Sequence, residues 1–373
     1  NLNCGEKFYN KMFMFFNAHS FDLEEEPRVI RRRLRDNTNV LDLPNKEFVN
    51  QFRVSKEVFK NILLEIAPKM EKRFRCTSIP EMTKLACFFR ALAGKYQMNV
   101  GTNSYTCVSQ GTTSKIVGEC LEIFEDSFCG KWIRLEMNAK EESETKQAFY
   151  RSTKVPNIIG CVDCTHIPIK RPTVEVRHLY QNKSGSFSIN TLMICDANLV
   201  VRYVDARTPG ENDDDYVWRQ SGANAYLKSL YDAGKRNFWI IGDSTLPLQP
   251  YLMTPYHNPT ETYETIYNEK LLKAQKFIGK CFNTIKNRFR CIADGKAIYY
   301  LPEKATKIIN VCCAIHNACI FYKDNLEFGE TEAMNSKNDN WNNSTEFESD
   351  INATEEALKI RKKLAKSLKN SKD

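Results

Sequence analysis

Apolar residues recur every three or four positions through the first third of the chain, which is the period of an amphipathic helix. Ser55 is the predicted N-cap of one such helix. The apolar residues around it are Phe52, Phe59, Ile62, Leu63 and Ile66. A second helix is predicted to end near Gly94, and a third begins after Ser109 as its N-cap and continues through Phe124.

Short helices with polar residues at the start of the last one are typical of a helix-turn-helix, which places such residues against DNA. On this hypothesis Ser109, Thr112 and Lys115 contact DNA. A plain three-helix bundle has the same pattern, so both interpretations stand.

The pattern changes after residue 155. Residues 158–170 are an apolar, β-branched run, and residues 187–207 predict a hairpin that turns at residues 196–198. A short apolar strand ends just before Asp243, and helices are predicted near residues 213–234, 266–289 and 303–321. Hairpin strands followed by a strand and helices predict an α+β domain with a mixed sheet.

Two of these strands are predicted to end in a carboxylate, Asp163 in the first and Asp243 in the last. If the strands are neighbours, both acids meet at one edge, where a hard divalent cation would relieve their repulsion. Asp214 follows a Pro-Gly turn and is a third candidate. The alternative is that the first two acids cap turns and that Asp214 interacts with a helix dipole.

The chain has 373 residues, enough for two or three domains, and a formal charge of +8, which is compatible with nucleic acid but does not require it. It has 14 cysteines, yet we find no signal peptide and no apolar run long enough for a membrane span. These observations predict reduced thiols in the nucleus or cytoplasm and no membrane partner. The first residue is Asn1 rather than Met, so completeness of the N-terminus stays open.

Charge and pattern together divide the chain into four predicted segments. Residues 1–45 are a basic N-terminal segment, residues 46–150 are a helical region, residues 151–323 are the domain with the sheet, and residues 324–373 are an acidic linker and a basic helix. The basic run at residues 28–36 is either a solvated helix face or an arm that contacts phosphates. The basic tail is either a nuclear import signal or a solvated helix.

Seven motifs occur in an order that resembles the harbinger transposase-derived nuclease family. They read "GCVDCTHIPIKRP", "YQNKSGSFSINTLMICD", "PGENDD", "IIGDSTLPLQPYLMTPY", "YNEKLLKAQKFI", "IKNRFRCI" and "INVCCAIHNACI". The resemblance is strong over residues 157–320 and weaker over residues 48–123. It implies an RNase H-like core, a DDE-type nuclease site that uses Mg²⁺ or Mn²⁺, DNA as substrate, and a nuclear location. A separate DNA-binding or nuclear-import protein is also expected as a partner.

The resemblance also assigns residues. Asp163 matches the first acid, Asp243 matches the acid of a "GDSGYP"-like segment, and Asp214 matches the acid after the Pro-Gly turn. The family then has a Glu on the long helix, where this chain has Gly279. Further departures nearby are Thr245, Leu246, Gln275 and Asn283.

Gly279 has two explanations, close packing against a strand or loss of selection for cleavage. The sequence therefore supports two functions. One is a metal-dependent DNA endonuclease, a hydrolase with weakened activity. The other is a catalytically inactive nuclear DNA-binding or adaptor protein.

Residues 270–290 carry many basic side chains and no acid, which predicts contact with DNA phosphates. The predicted contacts are Lys273, Lys276, Lys280, Lys286 and Arg288. A zinc site would need four convergent ligands. We instead expect structural roles for the pair Cys161 and Cys164, which face opposite ways along a strand, and for the helical group Cys312, Cys313, His316 and Cys319. His166 is a candidate for ordering Asp163.

Overall fold

The structure is a computed structural model and describes residues 27–70, 78–94, 105–324, 326, 328 and 353–369. The main helices are α1 (Pro27–Asp36), α2 (Asn45–Phe52), α3 (Lys56–Ile66), α4 (Glu81–Leu92), α5 (Gln110–Phe124), α6 (Ala139–Thr153), α7 (Asp214–Gln220), α8 (Gly222–Asp232), α9 (Thr262–Arg288), α10 (Pro302–Phe321) and α11 (Glu355–Lys369). The strands are β1 (Ile158–Pro168), β2 (Ser188–Cys195), β3 (Val201–Pro209), β4 (Trp239–Ile241) and β5 (Leu252–Met253). Shorter helical segments lie at Val40–Asp42, Ala67–Lys69, Glu125–Cys129, Gly130–Trp132, Arg177–Tyr180 and Arg290–Ile292.

The five strands form one mixed sheet in the order β3-β2-β1-β4-β5. Strands β1, β2 and β3 pair antiparallel, whereas β4 pairs parallel to β1 and β5 parallel to β4. The predicted hairpin between β2 and β3 is confirmed, and Asp196 closes it by accepting hydrogen bonds from the N–H groups of Asn198 and Val200. The predicted α+β class with a mixed sheet and a preceding helical region is therefore confirmed.

Strand β1 is central, and its two faces lie against different layers. One face packs against α6 and α9 through buried side chains that include Cys161, Met193, Cys195 and Ile241. The other face packs against α7 and α8 through Val162, Leu192, Ile194 and Ile240. Because alternate side chains of a strand point to opposite faces, adjacent residues of β1 face different surroundings.

The predicted helix starts in the N-terminal region are confirmed. Ser55 caps α3 by accepting a hydrogen bond from the Val58 N–H at 3.3 Å, and Ser109 caps α5 through the Thr112 N–H at 3.3 Å. Residues 95–104, between α4 and α5, lie outside the described residues. The helix-turn-helix and the plain bundle both stay predictions.

The helical region and the sheet share one continuous hydrophobic core. Phe88, Phe124, Phe128 and Trp132 form a run of neighbouring rings that reaches Phe321 of α10. The boundary predicted at residue 150 therefore does not separate two independent cores.

The basic C-terminal helix α11 packs against α9 through Ala357, Leu364, Ala365 and Leu368. Arg361 of this helix is buried and donates a hydrogen bond to the Pro255 carbonyl oxygen at 3.2 Å. The helix is thus part of the folded body rather than solvated on all sides. Residues 1–26 and 329–352, which hold most of the predicted N-terminal segment and acidic linker, lie outside the described residues. Across the ranges that are described, no helix combines the length and the apolar character needed to cross a lipid bilayer.

Candidate active site

Asp163 and Asp243 lie at the same level on neighbouring strands. Cys161 of β1 pairs with Ile241, the last residue of β4, so each aspartate lies two residues beyond a paired position. The prediction that each acid ends its strand is correct for Asp243. It is wrong for Asp163, because β1 continues through Pro168 and pairs with β2 as far as Ser188.

A threonine hydroxyl connects Asp243 to Asp214. Thr245 Oγ1 lies 2.6 Å from Asp243 Oδ1 and 3.4 Å from Asp214 Oδ2. The backbone N–H of Thr245 also donates to Asp243 Oδ1 at 3.1 Å. Thr245 is one of the positions at which this chain departs from the family that it resembles, and its side chain lies between two of the three predicted acids.

The loop before α7 brings Asp214 to this position. Asp213 is the N-cap of α7, with its Oδ1 accepting from the Tyr216 N–H at 3.0 Å, and Asp214 is the first helical residue. Gly210 lies against β2 so closely that a Cβ would be 2.6 Å from the Ser188 carbonyl oxygen. A larger residue at 210 would therefore push the loop, and Asp214 with it, away from the sheet.

Asn190 of β2 holds the other oxygen of Asp214. Its Nδ2 donates to Asp214 Oδ1 at 2.8 Å and to the Asn212 carbonyl oxygen at 3.0 Å. Sequence reasoning missed Asn190. The available signal was an amide side chain within a strand that also carries Ile189, Leu192 and Ile194.

Negative charge accumulates on this side of the sheet. The pKa of Asp243 is raised to about 6 by burial, and also by the negative charge of Asp214, against hydrogen bonds from Thr245 that lower it. The Cys164 thiol hydrogen-bonds to Asp214, and burial together with the charges of Asp214, Asp163 and Asp243 raises its pKa well above the usual value. A cation bound between the carboxylates would relieve this repulsion.

The donor set partly fits a divalent cation. Asp214 and Asp243 offer carboxylate oxygens, the ligands that Mg²⁺ and Mn²⁺ prefer. Among the residues that the structure describes, however, no group of three or more His, Cys, Asp or Glu side chains is arranged to hold a metal ion. Asp163 also points to the α9 face of the sheet, whereas the adjacent Cys164 points towards Asp214.

Gly279 lies on α9 at the level of Asp163. The helix runs alongside β1, because Cys161 Sγ contacts the Ala274 carbonyl oxygen at 3.1 Å and Lys286 Nζ donates to Thr165 Oγ1 at 3.0 Å. Positions 279 and 286 are seven residues apart, so their side chains leave the helix in directions that differ by only about 20°. Position 279 therefore faces β1 between these two contacts.

Close packing does not explain the glycine. A Cβ built on Gly279 has nothing within 4 Å outside its own chain neighbours and helix backbone. The packing hypothesis is thus wrong, and a side chain at position 279 would extend into open space.

The predicted DNA contacts fall into two groups. Lys115, Lys273, Lys276 and Lys280 are exposed. Ser109 and Thr112 are half-buried, and their hydroxyl groups lie 2.7 Å apart at the start of α5.

The second group is Lys286 and Arg288, which are only 5% and 4% exposed. Lys286 Nζ pairs with Asp294 at 2.8 Å, and Arg288 pairs with Asp324 at 2.8 Å. These two side chains connect parts of the fold and are not presented to a partner in this structure.

The cysteine and histidine groups also connect elements. Cys161 and Cys164 face opposite sides of the sheet, as predicted. His316 Nε2 lies 2.8 Å from the Leu199 carbonyl oxygen, which joins α10 to the turn between β2 and β3. His166 Nδ1 lies 3.0 Å from Ser188 Oγ and shares the face of Cys164 rather than that of Asp163.

Comparison with known proteins identifies relatives of this chain. Residues 162–317 match the family model described as DDE superfamily endonuclease. The human protein "Putative nuclease HARBI1" and its Bos taurus counterpart are each 34% identical over 240 residues, which are 64% of this chain and 66% of each relative. "Protein ALP1-like" of Arabidopsis thaliana is 29% identical over 235 residues, 58% of this chain and 55% of that protein. The chain thus spans just under two thirds of the length of the human and bovine relatives. No solved structure matches it significantly.

Proposed function

Since this chain belongs to the family of Harbinger transposase-derived nucleases, we propose that it is a DNA endonuclease that depends on Mg²⁺ or Mn²⁺ and has weakened activity. The observation that carries the proposal is the pair of carboxylates, Asp214 and Asp243, joined through Thr245 beside the strand of Asp163. The strand order, with β1 at the centre, supports an RNase H-like core for this site.

In this proposal Asp163, Asp214 and Asp243 are the residues that would hold the metal ions. When bound, the divalent ions supply the activation of water and the stabilisation of charge on the leaving oxygen. The protein contributes the placement of the carboxylates. Because position 279 has no carboxylate, the site would bind metal ions less tightly on the side of α9. This lower affinity is why the proposed activity is reduced.

The pKa of Asp243 predicts how this activity depends on pH. A proton and a metal ion compete for the same carboxylate oxygens. Because the pKa of Asp243 is raised to about 6, metal binding should strengthen as pH rises through about 6 and weaken below it.

We expect slow nicking of supercoiled plasmid in Mg²⁺ or Mn²⁺ that increases between about pH 5.5 and 7.5 with the ionisation of Asp243. Asp163→Ala should abolish it. Asp215→Ala is the matched control, because Asp215 lies beside the site but pairs with Arg219 at the surface, and this variant should nick normally. Equal nicking by the Asp163→Ala variant, or none by the wild-type chain in either metal, would contradict the proposal.

A second candidate function is a nuclear DNA-binding or adaptor protein that does not cleave, acting with a separate DNA-binding or nuclear-import partner. The observation that favours it is the combination of an absent acid at Gly279 with exposed lysines on the same helix, Lys273, Lys276 and Lys280. Such a protein would retain phosphate contacts without a complete metal site.

DNA binding should weaken steeply with salt, because each phosphate contact releases a counterion. Lys276→Ala and Lys280→Ala should each reduce the slope of log K against log salt by about one. Lys228→Ala is the control, since Lys228 is equally exposed but lies on α8 at the opposite face of the sheet. The measurement is fluorescence anisotropy with duplex DNA at several salt concentrations. Slopes equal to that of the wild-type chain would rule out this surface.

A further inference from the structure

Asn190 is an amide side chain in a strand whose every residue is buried. It is 0% exposed, and the strand carries Ile189 on one face and Leu192 and Ile194 on the other. Its Oδ1 is buried without a hydrogen-bond partner in the described part of the molecule. A buried acceptor that is left unpaired costs about 1–3 kcal/mol, so stability alone does not account for an amide here.

The amide is oriented by its two donated bonds. Nδ2 has two hydrogens, and its acceptors are Asp214 Oδ1 at 2.8 Å and the Asn212 carbonyl oxygen at 3.0 Å. The second bond ties the amide to the loop backbone. The orientation of the amide is therefore fixed. Its hydrogen bond to the Asp214 carboxylate is donated from strand β2 of the sheet.

Asp214 is consequently held at both oxygens. Asn190 contacts Oδ1, and Thr245 Oγ1 lies 3.4 Å from Oδ2. Without Asn190 the carboxylate could rotate towards solvent, because Asp214 is only half-buried. Rotation would also relieve its repulsion with Asp243, so an attraction is needed to keep the two acids together.

We propose that Asn190 is a positioning residue that holds Asp214 beside Asp243, so that Asp214, and not a residue of the long helix, completes the acids of the metal site. The inference rests on the proposed metal-dependent function. It explains how the site can lack the acid at Gly279 and still place two carboxylates together. Residues that orient metal-binding side chains in this way typically contribute 10–100-fold to metal affinity.

The test is titration calorimetry with Mn²⁺ alone at pH 7.5, on Asn190→Ala and Asn190→Leu. Both should bind Mn²⁺ about tenfold more weakly or worse. Leu has the same number and branching of side-chain heavy atoms as Asn, so it covers the case in which Ala leaves a damaging cavity. Thr191→Val is the matched control, since Thr191 is the next residue, is equally buried and faces the other side of the sheet. It should bind as the wild-type chain does.

A double-mutant cycle separates positioning from general support of the fold. In an Asp214→Ala background, Asn190→Leu should cause no further loss of Mn²⁺ affinity, because its effect is exerted through Asp214. An equal loss in both backgrounds, or no loss in the wild-type background, would overturn the inference.

A metal-free crystal structure of the Asn190→Leu variant makes the outcome independent of the proposed function. We expect the Asp214 carboxylate to have left the Thr245 hydroxyl. If the wild-type chain binds no Mn²⁺, the proposed metal site fails. The inference about Asn190 is then tested by this structure alone. An Asp214 carboxylate that keeps its wild-type position beside the Thr245 hydroxyl refutes it.

Discussion

Gly279→Glu is expected to bind Mn²⁺ about tenfold more tightly than the wild-type chain, a gain of about 1.4 kcal/mol, and to nick DNA faster. Position 279 lies on the face of α9 that reaches β1, between the contacts at Cys161 and Thr165. A carboxylate there would extend towards Asp163, the acid that points to this face. Affinity for hard cations rises with the number of charged oxygen ligands.

The variant should also fold. A Cβ at 279 has open space around it, and Glu is a better helix former than Gly by roughly half a kcal/mol or more. Gly279→Gln is the matched control, because it has the same size and helix propensity without the charge. It should be as stable as Gly279→Glu but bind Mn²⁺ no better than the wild-type chain.

Calorimetry with Mn²⁺ and plasmid nicking provide the measurement, and thermal denaturation checks the fold. A glutamate variant that is no better than the glutamine variant would mean that position 279 is too far from Asp163 to share a cation. The expected gain in nicking is smaller than the gain in binding, because Thr245, Leu246, Gln275 and Asn283 also depart from the family pattern.

Arg288→Ala is expected to lower the free energy of unfolding by about 3–5 kcal/mol, the usual cost of removing one partner of a buried ion pair. Arg288 and Asp324 have side chains that are only 4% and 2% exposed and lie 2.8 Å apart. Arg288 also donates to the Arg53 carbonyl oxygen at 3.0 Å, which connects α9 to the end of α2. Truncation leaves the Asp324 carboxylate buried without its charge partner.

Urea denaturation at neutral pH measures this effect, with Lys280→Ala as the control on the same helix. Lys280 is exposed, so its loss should change stability by less than about 0.5 kcal/mol. The two roles considered for Arg288 then predict opposite results. If Arg288 contacts DNA, the Arg288→Ala variant should bind DNA more weakly and remain as stable as the wild-type chain. If Arg288 forms the buried ion pair, the variant should instead be less stable. An Arg288→Ala variant as stable as the wild-type chain would contradict the structural role.

The lysine and arginine pattern of α9 shows where sequence and structure diverge. Seven basic residues without an acid between positions 270 and 290 suggested one continuous phosphate-binding face. The helix itself was predicted correctly, but Lys286 and Arg288 turn inwards to Asp294 and Asp324. Those acids lie beyond the helix in sequence, so no pattern within the helix could identify them as partners.

The sequence by itself determined the local features of this protein. Ser55 and Ser109 specified the starts of α3 and α5, and the polar turn at residues 196–198 specified the hairpin between β2 and β3. Capping, helical period and turn formation depend on residues within a few positions of one another. The order of the seven motifs along the chain also identified Asp163, Asp214 and Asp243 as the candidate acids of the site.

Only the tertiary structure decided how these acids are arranged. The parallel register of β1 and β4 brings Asp163 level with Asp243, while the alternation along β1 directs Asp163 to α9 and Cys164 to Asp214. Asn190 acquires its role because β2 lies beneath the loop that carries Asp214, more than twenty residues later. The physical reason is that strand pairing and burial join residues distant in sequence, and pattern within one segment does not specify the partner that it meets.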